Sequence, residues 1–272
     1  MVYSTLFLYT RGPVVVPVYN VRGDKVEEVL LPKVFSLYVR KDLIKRVFFS
    51  EFTARLQPKG RDPMAGRRTS AVSLGPGYGV ARVPRIKGSM RAALVNMARG
   101  GRAAHPPRVE KRLHEEVNKR EKLLGTMSAL AATSIVDMVR TRGHVFTVER
   151  LPVVVDSEVL DAVSSVREAR ELLQKLGVYE DIVRAKERTR WKAGKGKMRG
   201  RRYVTPKSIL FIVEDRTSPF ARSVKGLPGV DVAEPQFVNV LQLAPGGVPG
   251  RLAVITSGAL KALEERFRVE TP

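Results

Sequence analysis

Three short segments contain residue types that phosphate-binding and metal-dependent enzymes use. The glycines of LGPGYGVARVP (Leu74–Pro84) resemble a dinucleotide-binding turn, Gly194–Lys197 resembles a phosphate loop, and His114–Glu115 begins like a zinc-protease motif. Each segment lacks a required part. The glycines follow no predicted strand and open no helix, Met198 stands where a phosphate loop has Ser or Thr, and Asn118 takes the place of the second His. None of the three predicts a catalytic site.

The remaining candidates for catalysis are equally incomplete. The other histidines are His105 and His144, so the sequence offers no histidine cluster for metal binding or nucleophilic chemistry. Glu214 and Asp215 end a predicted buried strand, a place where catalytic acids sometimes lie, but polar caps of the strand end are the simpler interpretation. We therefore expect no catalytic residues, no metal and no cofactor, and a protein that is not an enzyme.

A basic run in the second half of the chain combines charge with aromatic rings. In RAKERTRWKAGKGKMRGRRYVTPK (Arg184–Lys207), Trp191 and Tyr203 alternate with Lys and Arg, and small glycines allow close approach of the backbone. This combination suits phosphate neutralisation together with stacking on a base or ribose. Packing in the core is the alternative for Trp191. A targeting signal is an alternative for the run, but it leaves the other basic segment unexplained.

The excess positive charge is concentrated in two segments. The chain contains 49 Lys and Arg against 27 Asp and Glu, a formal net charge of +22. The first basic segment, Arg55–Arg108, has 12 basic residues and one acidic residue, and the second, Arg184–Lys207, has 11 and one. The remaining 194 residues hold 26 basic and 25 acidic residues. Basic patches on a neutral scaffold are typical of a nucleic-acid binder, whereas the surface of a thermophilic protein mixes both signs.

An acidic membrane is the alternative polyanion, and the sequence disfavours it. The longest apolar runs, such as Val14–Val16 and Ile209–Val213, are far shorter than the ~20 residues of a spanning helix. The start, MVYSTLFLYTRGP, has neither a basic region nor a cleavage site of a signal peptide. The absence of cysteine fits a reducing compartment. We expect a cytoplasmic protein that contacts no membrane.

Around the first basic segment the pattern of apolar residues predicts regular elements. Strands are predicted at Tyr3–Tyr9, Val14–Tyr19 and Val26–Leu31, and a helix over 41–56. The segment Arg55–Arg108 itself holds six Pro and eight Gly and few large apolar residues. Such a composition cannot bury enough surface to fold alone, so we expect a long loop that is disordered in the free protein and ordered when bound.

The rest of the chain alternates apolar strands with helices. We predict helices at His114–Arg142, Glu158–Leu176 and Ser257–Phe267, and strands at Leu151–Asp156, Tyr179–Val183, Ser208–Asp215, Val230–Ala233 and Leu252–Thr256. This pattern predicts an α/β fold, a layered globular domain with a mainly parallel sheet flanked by helices, plus a long extended internal basic loop. Residues 1–54 and 109–272 would form the single globular domain, and residues 55–108 the RNA-binding loop.

Many separate motifs, in order along the chain, resemble one known family. They are LPKVF (Leu31–Phe35), RKDLI (Arg40–Ile44), LGPGYGVARVPR (Leu74–Arg85), AAHPPRVEK (Ala103–Lys111), SALAAT (Ser128–Thr133), Arg142–Phe146, LPVVV (Leu151–Val155), KAGKGKMRGRRY (Lys192–Tyr203), SILFIVED (Ser208–Asp215) and LAPGGVPGRL (Leu243–Leu252). Over essentially its whole length the sequence resembles the universal large-subunit ribosomal protein four family in its archaeal and eukaryotic form. Because it ends at Pro272 without the long extension of eukaryotic members, we expect the archaeal type.

The resemblance implies a structural constituent of the large ribosomal subunit that binds ribosomal RNA early in assembly. Its loop would form part of the wall of the polypeptide exit tunnel. The implied partners are large-subunit ribosomal RNA, neighbouring large-subunit ribosomal proteins and the nascent polypeptide, with no homo-oligomer. Two rival classes are a nucleic-acid enzyme with a Rossmann-like core, which would need convergent carboxylates at a strand end, and a general DNA or chromatin protein.

The resemblance also assigns residues. The loop tip maps to Ala65–Arg82. Those implied to face the tunnel are Arg67, Arg68, Gly75, Gly77, Tyr78 and Gly79. Those implied to bind ribosomal RNA are Arg55, Lys59, Arg61, Arg67, Arg68, Arg82, Arg85, Lys87, Arg91, Arg99, Arg102, Arg108, Arg190, Trp191, Lys192, Lys195, Lys197, Arg199, Arg201, Arg202 and Tyr203.

Overall fold

The computed structural model describes residues 11–267, so the predicted strand Tyr3–Tyr9 lies outside the described residues. The chain divides into two compact units. We call residues 11–52 with 115–267 the body, and Thr53–His114 the loop unit. That residues 55–108 form an extended RNA-binding loop stays a prediction.

Strands and helices alternate through the body. Its strands are β1 (Val15–Tyr19), β2 (Lys25–Leu30), β3 (Val153–Val155), β4 (Arg190–Trp191), β5 (Tyr203–Val204), β6 (Leu210–Ile212), β7 (Asp231–Ala233) and β8 (Ala253–Thr256). Its helices are α1 (Lys41–Thr53, whose last residue belongs to the loop unit), α2 (Lys119–Thr133), α3 (Val136–Thr141), α4 (Val159–Ala162), α5 (Val166–Lys175), α6 (Tyr179–Glu187), α7 (Pro219–Lys225), α8 (Val240–Leu243) and α9 (Ser257–Arg266).

Within residues 11–267 six strands form one sheet in the order β2-β1-β3-β8-β6-β7. Strand β1 pairs antiparallel with β2, and every other pair in this sheet is parallel. The predicted α/β fold with a mainly parallel sheet is therefore confirmed. The strands β4 and β5 form a separate antiparallel hairpin.

Both faces of the sheet are covered, because its strands are apolar on both sides. Val154, Ile212 and Ile255 face a cluster that includes residues of α1, α2 and α9. Phe211 and Val254 face the opposite cluster, which includes residues of α5, α6 and α7. The core thus lies in two layers, one on each side of the sheet. Among residues 11–267 no helix has the length and apolar character needed to cross a bilayer.

The single helix predicted over His114–Arg142 is wrong, because residues 114–118 are not helical and the rest forms two helices. Ile135 is extended, with φ −98° and ψ 106°, and separates α2 from α3. The Ser134 hydroxyl lies 2.8 Å from the carbonyl oxygen of Ala131 and 3.0 Å from that of Phe35. The side chain thus makes backbone hydrogen bonds that compete with helix continuation.

Two predictions in the next region are also wrong. The helix predicted over Glu158–Leu176 is divided into α4 and α5, because Ser165 caps α5 in a reciprocal pair with Glu168. The segment predicted as a strand at Tyr179–Val183 is the first half of α6. Helix α6 buries Asp181 along with apolar residues, and this polar residue on the inner face concealed the helical period.

Candidate nucleic-acid interface

The loop unit has no hydrophobic core. None of the residues of Thr53–His114, all of which the structure describes, is buried. Most positions are exposed, including large apolar residues such as Val72 and Met97. Since burial of apolar surface is the main favourable term in folding, the unit lacks the usual source of its own stability.

The two arms of the loop unit approach each other closely at several levels. A Cβ atom built on Gly60 would lie 2.5 Å from the Cγ2 atom of Val109, and one on Gly66 would lie 2.4 Å from the carbonyl oxygen of Gly101. Nearer the tip, Val72 and Arg85 exchange backbone hydrogen bonds of 3.1 and 3.0 Å. Glycine is required at Gly66 both by this approach and by its φ of +77°.

The tip is a glycine-rich turn closed at its neck. The Ser73 hydroxyl donates to the carbonyl oxygen of Arg82 over 3.1 Å. Between them Gly75, Gly77 and Gly79 have positive φ angles of 76°, 93° and 65°, and the space around each is open. These glycines therefore serve the backbone turn and not a tight packing contact. Tyr78, at the centre of the turn, is 68% exposed.

Eleven of the twelve cations in the first basic segment have no carboxylate within ion-pair distance among residues 11–267. The exception is Arg68, which pairs with Asp62, the one acidic residue of the segment. Hydrogen bonds from Arg68 and from the Met64 amide lower the pKa of Asp62, so the carboxylate stays charged. Arg68 is thus already paired, unlike the other predicted RNA contacts, and no feature of the sequence indicated this pairing. The unpaired cations are Arg55, Lys59, Arg61, Arg67, Arg82, Arg85, Lys87, Arg91, Arg99, Arg102 and Arg108.

In the second basic segment, β4 and β5 pair Arg190 with Val204 and Trp191 with Tyr203. The two rings lie edge to face with centroids 5.6 Å apart. Trp191 is 61% exposed and Tyr203 is 57% exposed, so packing in the core is excluded for Trp191. The pair leaves ring surface open for stacking.

The turn of this hairpin presents its cations to solvent. It contains a 3-10 turn, Lys195–Arg199, which ends at Gly200 in the left-handed conformation with φ 74°. The predicted residues Lys195, Lys197, Arg199, Arg201 and Arg202 are exposed, and Lys192 is half-buried. The sequence assignment omitted Lys186 and Arg188, which are also exposed and have no carboxylate partner within the described part of the chain. The charge run alone could have identified them.

Two carboxylates fix the base of the second basic segment to the body. At its start Arg184 donates to Asp181 over 2.8 Å, and at its end Lys207 donates to Asp231 over 2.8 Å. Arg184 also donates to the carbonyl oxygen of Lys207 over 3.0 Å, which joins the two ends. Both ends are therefore anchored, and the nine cations between them have no ion-pair partner within residues 11–267.

Asp181 lies in a buried polar cluster. His144 places Nδ1 2.9 Å from its carboxylate, and the Val145 amide donates to it over 3.1 Å. Burial raises the pKa of Asp181, but the hydrogen bonds from His144 and Arg184 outweigh this effect and leave the pKa below its ordinary value. Burial lowers the pKa of His144, so a neutral ring that donates from Nδ1 to an ionised carboxylate is the consistent arrangement.

The acidic residues that follow β6 accept hydrogen bonds from within the body, one from a distant part of the chain and one from a neighbouring residue. Glu214 accepts from the Ser157 hydroxyl over 2.6 Å, and Asp215 accepts from the Thr217 amide over 2.7 Å. These contacts fit the interpretation of strand-end polar caps. Within residues 11–267 no group of three or more His, Cys, Asp or Glu side chains is arranged to hold a metal ion.

Two segments, one in each unit, thus carry mostly exposed cations, and most of these have no carboxylate partner within residues 11–267. Such surfaces are typical of proteins that bind a polyanion. The comparisons with known proteins are more specific. The model of the ribosomal protein L4/L1 family matches residues 29–266, so the chain belongs to this family. The predicted membership is confirmed.

Several similar proteins are archaeal. A protein of Aeropyrum pernix, named large ribosomal subunit protein uL4, is 64% identical over 272 residues and covers 100% of both chains. Proteins of the same name from Sulfurisphaera tokodaii and Methanocaldococcus jannaschii are 51% and 50% identical over 250 residues each. These matches cover 92% of this chain and 94% and 98% of the two relatives.

Proposed function

We propose that this chain is a structural constituent of the large ribosomal subunit that binds ribosomal RNA through both basic segments. It acts without catalysis, in the cytoplasm, beside other large-subunit proteins and without forming a homo-oligomer. The first basic segment contributes to the wall of the polypeptide exit tunnel, where it meets the nascent chain. The names of the archaeal relatives support the assignment to the large subunit.

The observation that carries the proposal is the lack of internal partners for the basic side chains. Eleven cations of the first segment and nine of the second have no carboxylate in reach within residues 11–267. Like charges at this density repel one another, which costs stability unless a polyanion neutralises them. Phosphates do so, and guanidinium groups can bind phosphates with paired hydrogen bonds and also stack on bases.

Early action in assembly is supported by the state of the loop unit. Its residues bury no apolar side chain fully, so contacts with RNA would supply the missing stabilisation. A segment that two RNA regions enclose must be in place before those regions close around it. The protein therefore binds while the RNA is still folding.

The tunnel role rests on the tip. Its three positive-φ glycines form a turn with a thin, open backbone, and Tyr78 projects as the largest exposed side chain there. Such a turn can lie close to a passing peptide without filling the channel. Arg82 lies at the neck of the turn and Arg67 lies six residues before Ser73, and both are cations that can bind adjacent RNA.

Matched charge reversals test the proposal. Arg67→Glu changes an exposed, unpaired cation of the loop unit, and Arg170→Glu changes an exposed cation on α5 of the body. We expect Arg67→Glu to weaken binding of large-subunit ribosomal RNA in a filter-binding titration. It should also reduce the slope of log K against log salt by about one, because one phosphate contact is lost.

The control Arg170→Glu should leave the salt slope unchanged. The same titration with duplex DNA distinguishes a ribosomal protein from a general DNA binder, since duplex DNA at matched salt should compete poorly. Equal competition by DNA, or equal slopes for the two variants, would count against the proposal. Sedimentation of subunits from cells that carry Arg67→Glu should show delayed large-subunit assembly.

A further inference from the structure

A groove of about 440 Å³ lies beside the tip of the loop unit. Residues 70–74 line its first side and residues 85–90 its second, and Arg85 joins the two sides through its backbone bridge to Val72. The second side is reinforced by the hydrogen bond of 3.1 Å from the Ile86 amide to the carbonyl oxygen of Arg91, which closes the turn between them. The groove therefore lies where the backbone bridges of this unit are found.

The walls of the groove are apolar and open to solvent. Val72 is 70% exposed, Leu74 is 44% exposed and Met90 is 58% exposed, and Ile86 completes the lining. A groove of this size, lined by apolar side chains together with a few polar groups, is typical of sites that bind small ligands. The groove thus suits a ligand with an apolar face.

The charged groups of the groove restrict the ligand further. Arg85 and Lys87 line it, and no carboxylate of the residues that the structure describes does so. These cations would not strengthen the binding of an apolar protein segment. A nucleotide, in contrast, joins a flat, weakly polar base to a phosphate that the cations attract. The apolar walls can enclose the base while Lys87 remains free to meet the phosphate, a division that recurs in recognition of unpaired bases.

The guanidinium group of Arg85 supplies hydrogen-bond donors that can recognise a base. Its Nη1 donates to the carbonyl oxygen of Met90, but its Nε atom is buried and has no hydrogen-bond partner in the described structure. A buried donor without a partner is unfavourable, so the Arg85 guanidinium has hydrogen-bonding capacity that the described protein groups do not use. Base carbonyl groups are acceptors of the kind that arginine recognises.

We propose that this groove binds one unpaired nucleobase of RNA, enclosed by Val72, Leu74, Ile86 and Met90 beside the Arg85 guanidinium. The inference rests on the proposed function, because it assumes that the loop unit meets RNA. The groove would add a base-binding site to the cations of the loop unit. The loop unit would then also fix the position of an extruded nucleotide.

Two oligoribonucleotides of equal length test the inference, one with all its bases and one abasic throughout. The full chain is compared with Met90→Ser and Leu74→Ser, which change exposed groove side chains and so should not disturb folding. Met97→Ser is the matched control, because Met97 is 86% exposed and does not line the groove. We expect each groove variant to bind the base-bearing strand about tenfold more weakly, and the abasic strand as before.

Met97→Ser should change neither affinity. Equal weakening with both strands would show that the groove side chains act on the fold or on phosphate binding, and would overturn the inference. Unchanged binding of the base-bearing strand by both groove variants would also overturn it, while leaving the proposed function intact. Failure of the unaltered chain to bind either strand or ribosomal RNA would overturn both.

Discussion

At the scale of single residues, the contrast between paired and unpaired arginine separates the roles in this protein. Arg251 is fully buried and lies 2.7 Å from Asp231. Its other donors meet the carbonyl oxygens of Ser208, Gln242, Ile209 and Gly229 at 2.7 to 3.2 Å. Burial lowers the pKa of Arg251, and the Asp231 carboxylate opposes this effect. This cation serves the fold and is closed to RNA.

Substitution of this residue should therefore reduce stability. Lysine has three donors on one atom and cannot reproduce the planar fork of arginine, so Arg251→Lys leaves buried acceptors without donors. We expect the free energy of unfolding, measured by urea titration, to fall by roughly 2–4 kcal/mol. Arg167→Lys is the control, since Arg167 pairs with Glu171 on the surface with 90% of its side chain exposed. That change should cost less than about 0.5 kcal/mol, and equal losses for the two variants would refute the assigned role of Arg251.

At the scale of elements, the hairpin of β4 and β5 is a small structure that carries many of the cations proposed to bind RNA. Each strand has two residues, and the hairpin is joined to the body by the ion pairs of Arg184 and Lys207. An isolated two-stranded hairpin is marginal in water. The anchored ends and the edge-to-face contact of Trp191 and Tyr203 therefore help to hold its cations in place.

Loss of the indole ring tests the proposed role of this hairpin in RNA binding. We expect Trp191→Ala to lower the affinity for large-subunit ribosomal RNA about tenfold, because a stacking surface is removed. The unfolding free energy should change by less than about 0.5 kcal/mol, since the ring is exposed. Tyr38→Ala is the control on the body, where Tyr38 is 65% exposed. A comparable loss of affinity in Tyr38→Ala would remove the special role of Trp191.

The elements also show how far the sequence predicts this fold. Continuous apolar runs identified β1, β3, β6 and β8, because a sheet covered on both faces needs them. Helix breaks were missed where apolar spacing continued across them. The Ser165–Glu168 capping pair can be recognised in the sequence. It starts a new helix at this point although the apolar spacing continues across it. Helix α6 could not be predicted in this way. Its buried Asp181 is hydrogen-bonded by His144 and Val145, which are distant in the chain, so the neighbouring sequence does not indicate that this residue is buried.

At the scale of the whole molecule, the charge distribution predicted which segments present exposed cations. It did not predict the individual contacts that these segments make. The cations counted in the two basic segments are nearly all exposed, as their density implies. The sequence did not reveal that Arg68 is paired with Asp62 or that Arg85 bridges two neighbouring segments. Both facts depend on the path of the backbone through glycine-rich turns, which composition does not determine.

Limited trypsin digestion tests the central claim most directly, because trypsin cleaves after the same Lys and Arg residues that are proposed to bind RNA. In the free protein we expect cleavage within Arg55–Arg108 and Arg184–Lys207 before cleavage in the rest of the body. Large-subunit ribosomal RNA should slow cleavage in both segments, while the activity of trypsin on an unrelated substrate stays the same. Early protection of both segments in free protein, or cleavage rates that ribosomal RNA leaves unchanged, would contradict the account.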